Sequence, residues 1–133
     1  MSFEYRRGVR NPTLVPLDST SADIEVGDAI TMSGGTTGYA KEVDAAAEAV
    51  IGFAMQAVSS PSADGEASVL VDVSKDSVYE VGPDAGSVTQ ALNFTALDVG
   101  ADARSVDIDG TTTADLLVVQ CEVDDNKIYI KRA

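Results

Sequence analysis

Beyond the first dozen residues, apolar and polar positions alternate with period two over short runs. Each run is closed by turn-forming residues, the pattern of half-buried strands. Thr13, Leu14, Val15, Pro16 and Leu17 form a short extended piece, and Pro16 suits a sheet edge because it has no N–H for a ladder. Residues 26–32 read as a turn at Gly27 and Asp28 feeding a strand with Ile30 and Met32 on one face. Residues 33–38, all Ser, Gly or Thr, are a turn, and residues 39–43 a return strand. Residues 44–49 hold strong helix formers behind Asp44, a residue suited to capping, and Val43, Ala46, Ala47 and Val50 would share a helical face. The following stretch alternates as a strand with Ile51, Phe53, Met55 and Ala57 inward, so an alanine-rich loop or short turn leading into a strand is favoured.

Val69, Val71 and Val73 alternate with Leu70 and Asp72 in a further strand, and residues 77–81 form another that stops at Gly82, Pro83 and Asp84. Ser87 and Gln90 have the spacing of a capping box and predict a single helical turn. Val106 and Ile108 alternate with Asp107 and Asp109 before a turn at Gly110. The chain closes on a hairpin: Leu117, Val119, Cys121 and Val123 on one face, a turn at Asp124, Asp125 and Asn126, then Ile128 and Ile130 inward with Tyr129 and Lys131 outward. Roughly seven to nine short strands with little helix predict an all-β fold, a compact β-barrel or sandwich in a single domain.

Composition narrows the chemistry. The 133 residues suit one domain, and 44% hydrophobic residues suffice for a packed core. There is no His, one Cys and no Trp. That excludes a Ser-His-Asp triad, a Cys-His pair, an imidazole metal site, an internal disulfide and a cysteine-rich zinc site. No apolar run is long enough to span a bilayer, and no hydrophobic segment follows the early arginines as a signal peptide requires, so export by that route is not expected. The single thiol fits a reducing cytoplasm.

Charge divides the chain. Nine basic residues stand against 22 acidic ones, a formal net charge of −13. Three of the nine, Arg6, Arg7 and Arg10, fall in residues 1–12 with Glu4 as the one acid there, leaving six bases against 21 acids on residues 13–133. Such a body repels nucleic acid and anionic membranes, so neither is an expected partner. Residues 1–12 lack apolar periodicity and end at Asn11 and Pro12, which predicts an extended basic arm preceding a β-rich domain. Fully extended, twelve residues reach about 40 Å, far enough to touch a neighbouring molecule. Phe3, Tyr5, Arg6, Arg7 and Arg10 are the candidate interface residues, acting at close range because charges are screened within about 8 Å at physiological salt.

Other candidates have plainer readings. Asp107, Asp109 and Gly110, with Asp98 and Asp102 nearby, resemble part of a calcium loop, but three threonines follow where further ligands are needed. Alternation explains Asp107 and Asp109 as outward strand positions. A carboxylate pair for glycoside hydrolysis lacks aromatic platforms in a chain with 5% aromatics. Cys121 sits among apolar residues with no His to activate it, so a buried, inert thiol is expected. Gly34, Gly35 and Gly38 lack the lysine of a phosphate loop. No catalytic residue, metal or cofactor is therefore expected.

Six segments follow one another in a set order: Val26 to Thr31 followed by a Gly/Thr turn, Val50 to Ala54, Asp64 to Val71, Val78 to Val81, Val106 to Thr112, and Asp125 to Ile130 after a valine-rich strand. That order resembles the head decoration (cement) proteins of tailed bacteriophages. The resemblance spans residues 23–132 and does not cover the basic arm, whose role rests on charge alone. It implies a non-enzymatic β-barrel or β-tulip-like structural protein, trimeric at capsid three-fold positions. Such a protein binds the major capsid protein on the outer surface of the virion, after synthesis in the host cytoplasm, and stabilises the mature lattice against internal DNA pressure. A protein that binds only the mature lattice stabilises it by its binding free energy, and an arm on a neighbour's strand edge adds directional hydrogen bonds. A tail or fibre component, a sugar-binding β-domain and a small acid-dependent hydrolase remain as alternatives.

Overall fold

The computed structural model describes residues 2–33 and 38–133. Its eleven strands are β1 (Glu4–Arg7), β2 (Pro12–Pro16), β3 (Ala29–Met32), β4 (Ala40–Glu42), β5 (Gly52–Ala54), β6 (Ser68–Asp72), β7 (Val78–Val81), β8 (Ala96–Val99), β9 (Val106–Asp107), β10 (Leu116–Glu122) and β11 (Lys127–Arg132). They form two antiparallel sheets, one in the order β1-β7-β11-β10-β8-β9 and one in the order β2-β6-β5-β3-β4. The fold is all-β, and no closed barrel is detected among the described residues.

Two apolar clusters follow from strand alternation. The larger holds Phe3, Phe53, Tyr79, Val81, Leu97, Leu116, Val118, Ile128 and Ile130 with their neighbours, and draws on both sheets. The smaller holds Leu17, Ile24, Ile30, Ala40, Ala54, Val69 and Val71. Adjacent residues divide between them: Ala29 and Ile30 on β3, and Phe53 and Ala54 on β5, go to opposite clusters. The five-stranded sheet is thus apolar on both faces. This is why β5 is buried at all three residues, while Ile51 and Met55, expected inward, are only half-buried and Ala57 is exposed.

Several expectations meet the structure directly. β2 is an edge strand beginning and ending in proline, as Pro16 implied. Residues 44–49 form a turn rather than a helix, with Glu48 Oε1 accepting from the N–H groups of Asp44 and Ala45 at 2.9 and 3.0 Å. The predicted turn at residues 33–38 falls largely outside the described residues. The helical turn spans Gln90–Leu92 with Thr89 as its cap and no side-chain capping bond, so the proposed Ser87 box does not form. Met32 is 40% exposed at the end of β3, whereas Ile30 is buried.

The closing hairpin forms as expected at its turn and on β11, but the inward face of β10 is Leu116, Val118 and Cys121, not Leu117, Val119, Cys121 and Val123, the last of which lies beyond the strand and is exposed. The physical cause is a β-bulge. Val118 pairs with Ile130 and Gln120 with Tyr129, so Val119 is the extra residue and the faces exchange there.

Candidate interface: the basic first strand and its socket

Residues 2–12 lie on the body rather than projecting from it. β1 pairs antiparallel with β7, placing Glu4 opposite Glu80 and Tyr5 opposite Tyr79. Phe3 is 2% exposed. Its ring lies 4.6 Å from that of Phe53, which lies 4.4 Å from Tyr79, and Tyr5 meets Tyr79 edge-on at 5.8 Å. Two glycines accommodate the segment. A Cβ on Gly27 (φ +89°) would stand 2.3 Å from the Phe3 carbonyl oxygen, and one on Gly8 (φ +99°) 2.2 Å from that of Asp76. Both also occupy the left-handed region that side chains other than glycine rarely adopt.

The arginines expected to reach outward already have partners on their own chain. Arg6 Nη2 lies 2.8 Å from Glu4 Oε2 and 3.1 Å from Glu80 Oε1, and Lys127 Nζ reaches the same Glu80 oxygen at 3.4 Å. Burial works against ionisation of Glu80, but hydrogen bonds from Arg6, Tyr129 and Lys127 outweigh it and hold its carboxyl below the usual range. The Arg7 guanidinium stands 6.0 Å above the Tyr129 ring and that of Arg10 3.8 Å above Tyr5. Tyr5 in turn donates its hydroxyl to the Gly8 carbonyl. A bulge between Tyr5 and Arg7 interrupts the strand. All four β1 residues remain exposed, and β1 is the sheet edge.

Asp72 anchors the segment from the other side. Its buried carboxylate accepts from Asn11 N–H at 2.9 Å, Ser74 N–H at 3.1 Å and the Tyr79 hydroxyl at 2.7 Å. Arg10 Nε is 3.9 Å away and makes no hydrogen bond. Burial pushes the Asp72 pKa up, yet these donors prevail and it lies below the ordinary aspartate value. The start of β1 also borders a cleft of about 270 Å³ lined by Ser2, Glu4, Gly82, Pro83, Asp125, Asn126 and Lys127.

Of the five candidate interface residues, the structure thus brings Tyr5, Arg6 and Arg7 to the surface on the edge strand, leaves Arg10 half-buried in the connection after it and places Phe3 in the core. Asp72 escaped sequence reasoning, although a carboxylate set among Val69, Leu70, Val71 and Val73 was the signal. The calcium fragment is engaged in loop bonding. Asp98 accepts from the N–H groups of Thr112, Thr113 and Ala114 at 2.7–2.9 Å, Asp102 from Arg104 N–H and the Ser105 hydroxyl, and Asp107 from Asp109 N–H. Among the described residues no group of three or more His, Cys, Asp or Glu is placed to hold a metal ion. Cys121 is buried and free, and burial raises its thiol pKa. Among the described residues no helix is long and apolar enough to cross a membrane.

No family model matches the chain, and no curated protein and no solved structure matches it.

Proposed function

We propose that this chain is a non-enzymatic structural protein of a phage particle that binds the outer surface of the capsid, with the major capsid protein as its partner and the basic N-terminal segment as its contact. The observation that carries the reading is charge placement. Arg6 and Arg7 are exposed on one edge strand and Arg10 lies half-buried in the connection that follows it, at the border of a body that is otherwise strongly acidic. That edge attracts an acidic protein surface at close range, while the remaining acidic surface discourages aggregation of particles. On this reading the two sheets are the β-tulip-like core of a decoration protein. Assembly as a trimer at three-fold positions multiplies weak contacts into firm attachment.

The buried Phe3 determines how the proposal is tested. Removing residues 1–12 would open the core as well as delete charge. The double variant Arg6→Glu, Arg7→Glu alters only exposed side chains. It is expected to remain folded and to lose at least about tenfold in affinity for capsids stripped of the protein, measured by co-sedimentation, since reversed charge at an interface centre typically costs more than 1.4 kcal/mol. Undiminished occupancy of the capsid by this variant overturns the proposal. Labelling heads and tails separately distinguishes a decoration protein from a tail or fibre component.

A further inference from the structure

We propose that β1 is an exchangeable strand: in the assembled state residues 2–7 of one copy occupy, on a second copy of this chain, the groove that they fill on their own body. The inference goes beyond the capsid contact proposed above: it concerns the backbone and Phe3 of residues 2–7 and a second copy, and leaves the exposed Arg6 and Arg7 side chains on the same outer edge.

The groove is built entirely by residues outside the segment. Its floor is the Phe53 and Tyr79 rings, its side is the backbone edge of β7, and Gly27 leaves room for the Phe3 carbonyl. Glu80 receives Arg6, and Asp72 receives the chain at Asn11. Any copy of the chain offers the same seat. Among the described residues the segment that fills it pairs with no strand but β7, so its departure breaks no other ladder. Its tether to β2 in the other sheet is residues 8–11, a connection containing Gly8 at φ +99°. Val9 within that connection and Leu14 on β2 just after it are 74% and 64% exposed, where a crossing copy would cover them.

A foreign acceptor is the poorer partner. If residues 2–7 left for an unrelated surface, Phe3 would need a new pocket and the Phe53 and Tyr79 rings would be uncovered. Exchange with an identical chain remakes every one of these contacts, and only the tether changes conformation. The charge relation is also retained, because the basic segment meets the same carboxylates on each copy. A second copy adding to the free edge of β1 is disfavoured. The bulge between Tyr5 and Arg7 interrupts that edge and arginines crowd it, two devices that block edge-to-edge pairing.

Glu4 and Glu80 are direct cross-strand partners and provide the test. With Cys121→Ser as background, full-length chains carrying either Glu4→Cys or Glu80→Cys are distinguished by mass, mixed at high concentration and oxidised. Exchange predicts a covalent heterodimer between them, and no comparable product when Glu4→Cys is mixed with Asp102→Cys. Absence of the heterodimer, under conditions where the Glu4→Cys, Glu80→Cys double variant closes its own disulfide, overturns the proposal. So does an equal yield with Asp102→Cys. If the paired cysteines do not close within one chain, a variant lacking Val9 and Arg10 is compared with the native chain, because a tether of two residues instead of four favours crossing over folding back. Its multimeric fraction by native mass spectrometry must rise, and an unchanged or lower fraction overturns exchange. Loss of capsid binding by the Arg6→Glu, Arg7→Glu variant without any cross-link between copies would remove exchange and leave the capsid reading standing. Cross-linking without capsid binding would do the reverse.

Discussion

At the residue scale, ten of the 22 acidic side chains accept hydrogen bonds from the protein's own backbone N–H groups. Asp18 accepts from Thr20 N–H and the Thr20 and Ser33 hydroxyls, Asp98 from three consecutive N–H groups, and Asp115 from Val50 N–H. Loops that connect short strands leave many N–H groups unpaired, and a carboxylate satisfies two or three of them at once. Asp98 and Asp107, acids of the calcium-like spacing, are among those that accept from loop N–H groups. Phe3 is the other decisive residue. Its replacement by alanine is expected to cost about 3–5 kcal/mol of stability, the usual range for truncating a buried phenylalanine. Urea denaturation monitored by tyrosine fluorescence measures this, and a loss below about 1 kcal/mol would show that the ring is not seated in the core. Charge counting picked out the arginines of the same segment. It had no means of finding Phe3, because a lone apolar residue in a polar stretch carries no periodicity.

At the scale of elements, most strands were legible from alternation, and errors arose where alternation was locally interrupted. The β10 bulge shifted the inward set by one residue at Val119, and no turn residue marks the place. Removing Val119 leaves each remaining cross-strand pair in step, from Leu116 with Arg132 through Glu122 with Lys127. Deletion of Val119 is accordingly expected to cost only about 1–2 kcal/mol and to leave Cys121 inward. Modification of the native thiol by a maleimide should remain at least about tenfold slower than in urea, because a buried thiol is neither accessible nor readily ionised. A deletion variant whose Cys121 reacts at the unfolded rate would contradict this register. The ambiguous residues 44–49 were decided by similar local detail. Glu48 folds back to cap Asp44 and Ala45, Ala47 adopts φ +64°, and a turn replaces the helix that the alanines favour.

At the scale of the whole molecule, the two sheets are held together by polar struts as well as by the shared core. Arg104, on the loop after β8, reaches Asp28 just before β3 at 2.8 Å, with Glu25 at 3.5 Å and Glu42 at 3.9 Å. Ala29 N–H donates to the Ala103 carbonyl beside them at 2.8 Å. Arg132 on β11 donates to the carbonyls of Val50 and Val73. In the first strut one arginine serves several carboxylates, and Glu42 Oε2 is buried without a hydrogen bond. Burial first, and then the neighbouring Asp28 carboxyl, push the Glu42 pKa up to about 8, against the opposing pull of Arg104. A carboxyl with a raised folded-state pKa binds its proton more tightly when folded. Its contribution to stability is therefore complete below its unfolded value near 4.5 and is lost as pH rises to about 8. The Glu42→Gln variant should lack this decline, so its urea midpoint should fall less between pH 5 and pH 8 than that of the native chain. Equal slopes would refute the assignment. With no His in the chain, little else titrates across this window. Asp84, raised by burial and by Asp107 and Asp102, is common to both proteins and cancels in the comparison.

The sequence by itself determined the all-strand character, the edge position of β2, the closing hairpin turn and the division of charge between the first twelve residues and the rest. Each is carried by neighbours along the chain: period-two alternation, proline without an N–H, Asp and Asn in a turn, and a simple count of ionisable groups. Tertiary structure alone decided that Phe3 completes the core, that Asp72 and Glu80 receive the basic segment, that β10 carries a bulge, and that Arg104 joins the sheets. All of these depend on contacts between residues tens of positions apart. Local pattern states which side chains must be buried or paired, but the partner that buries or pairs them is set by how the sheets stack.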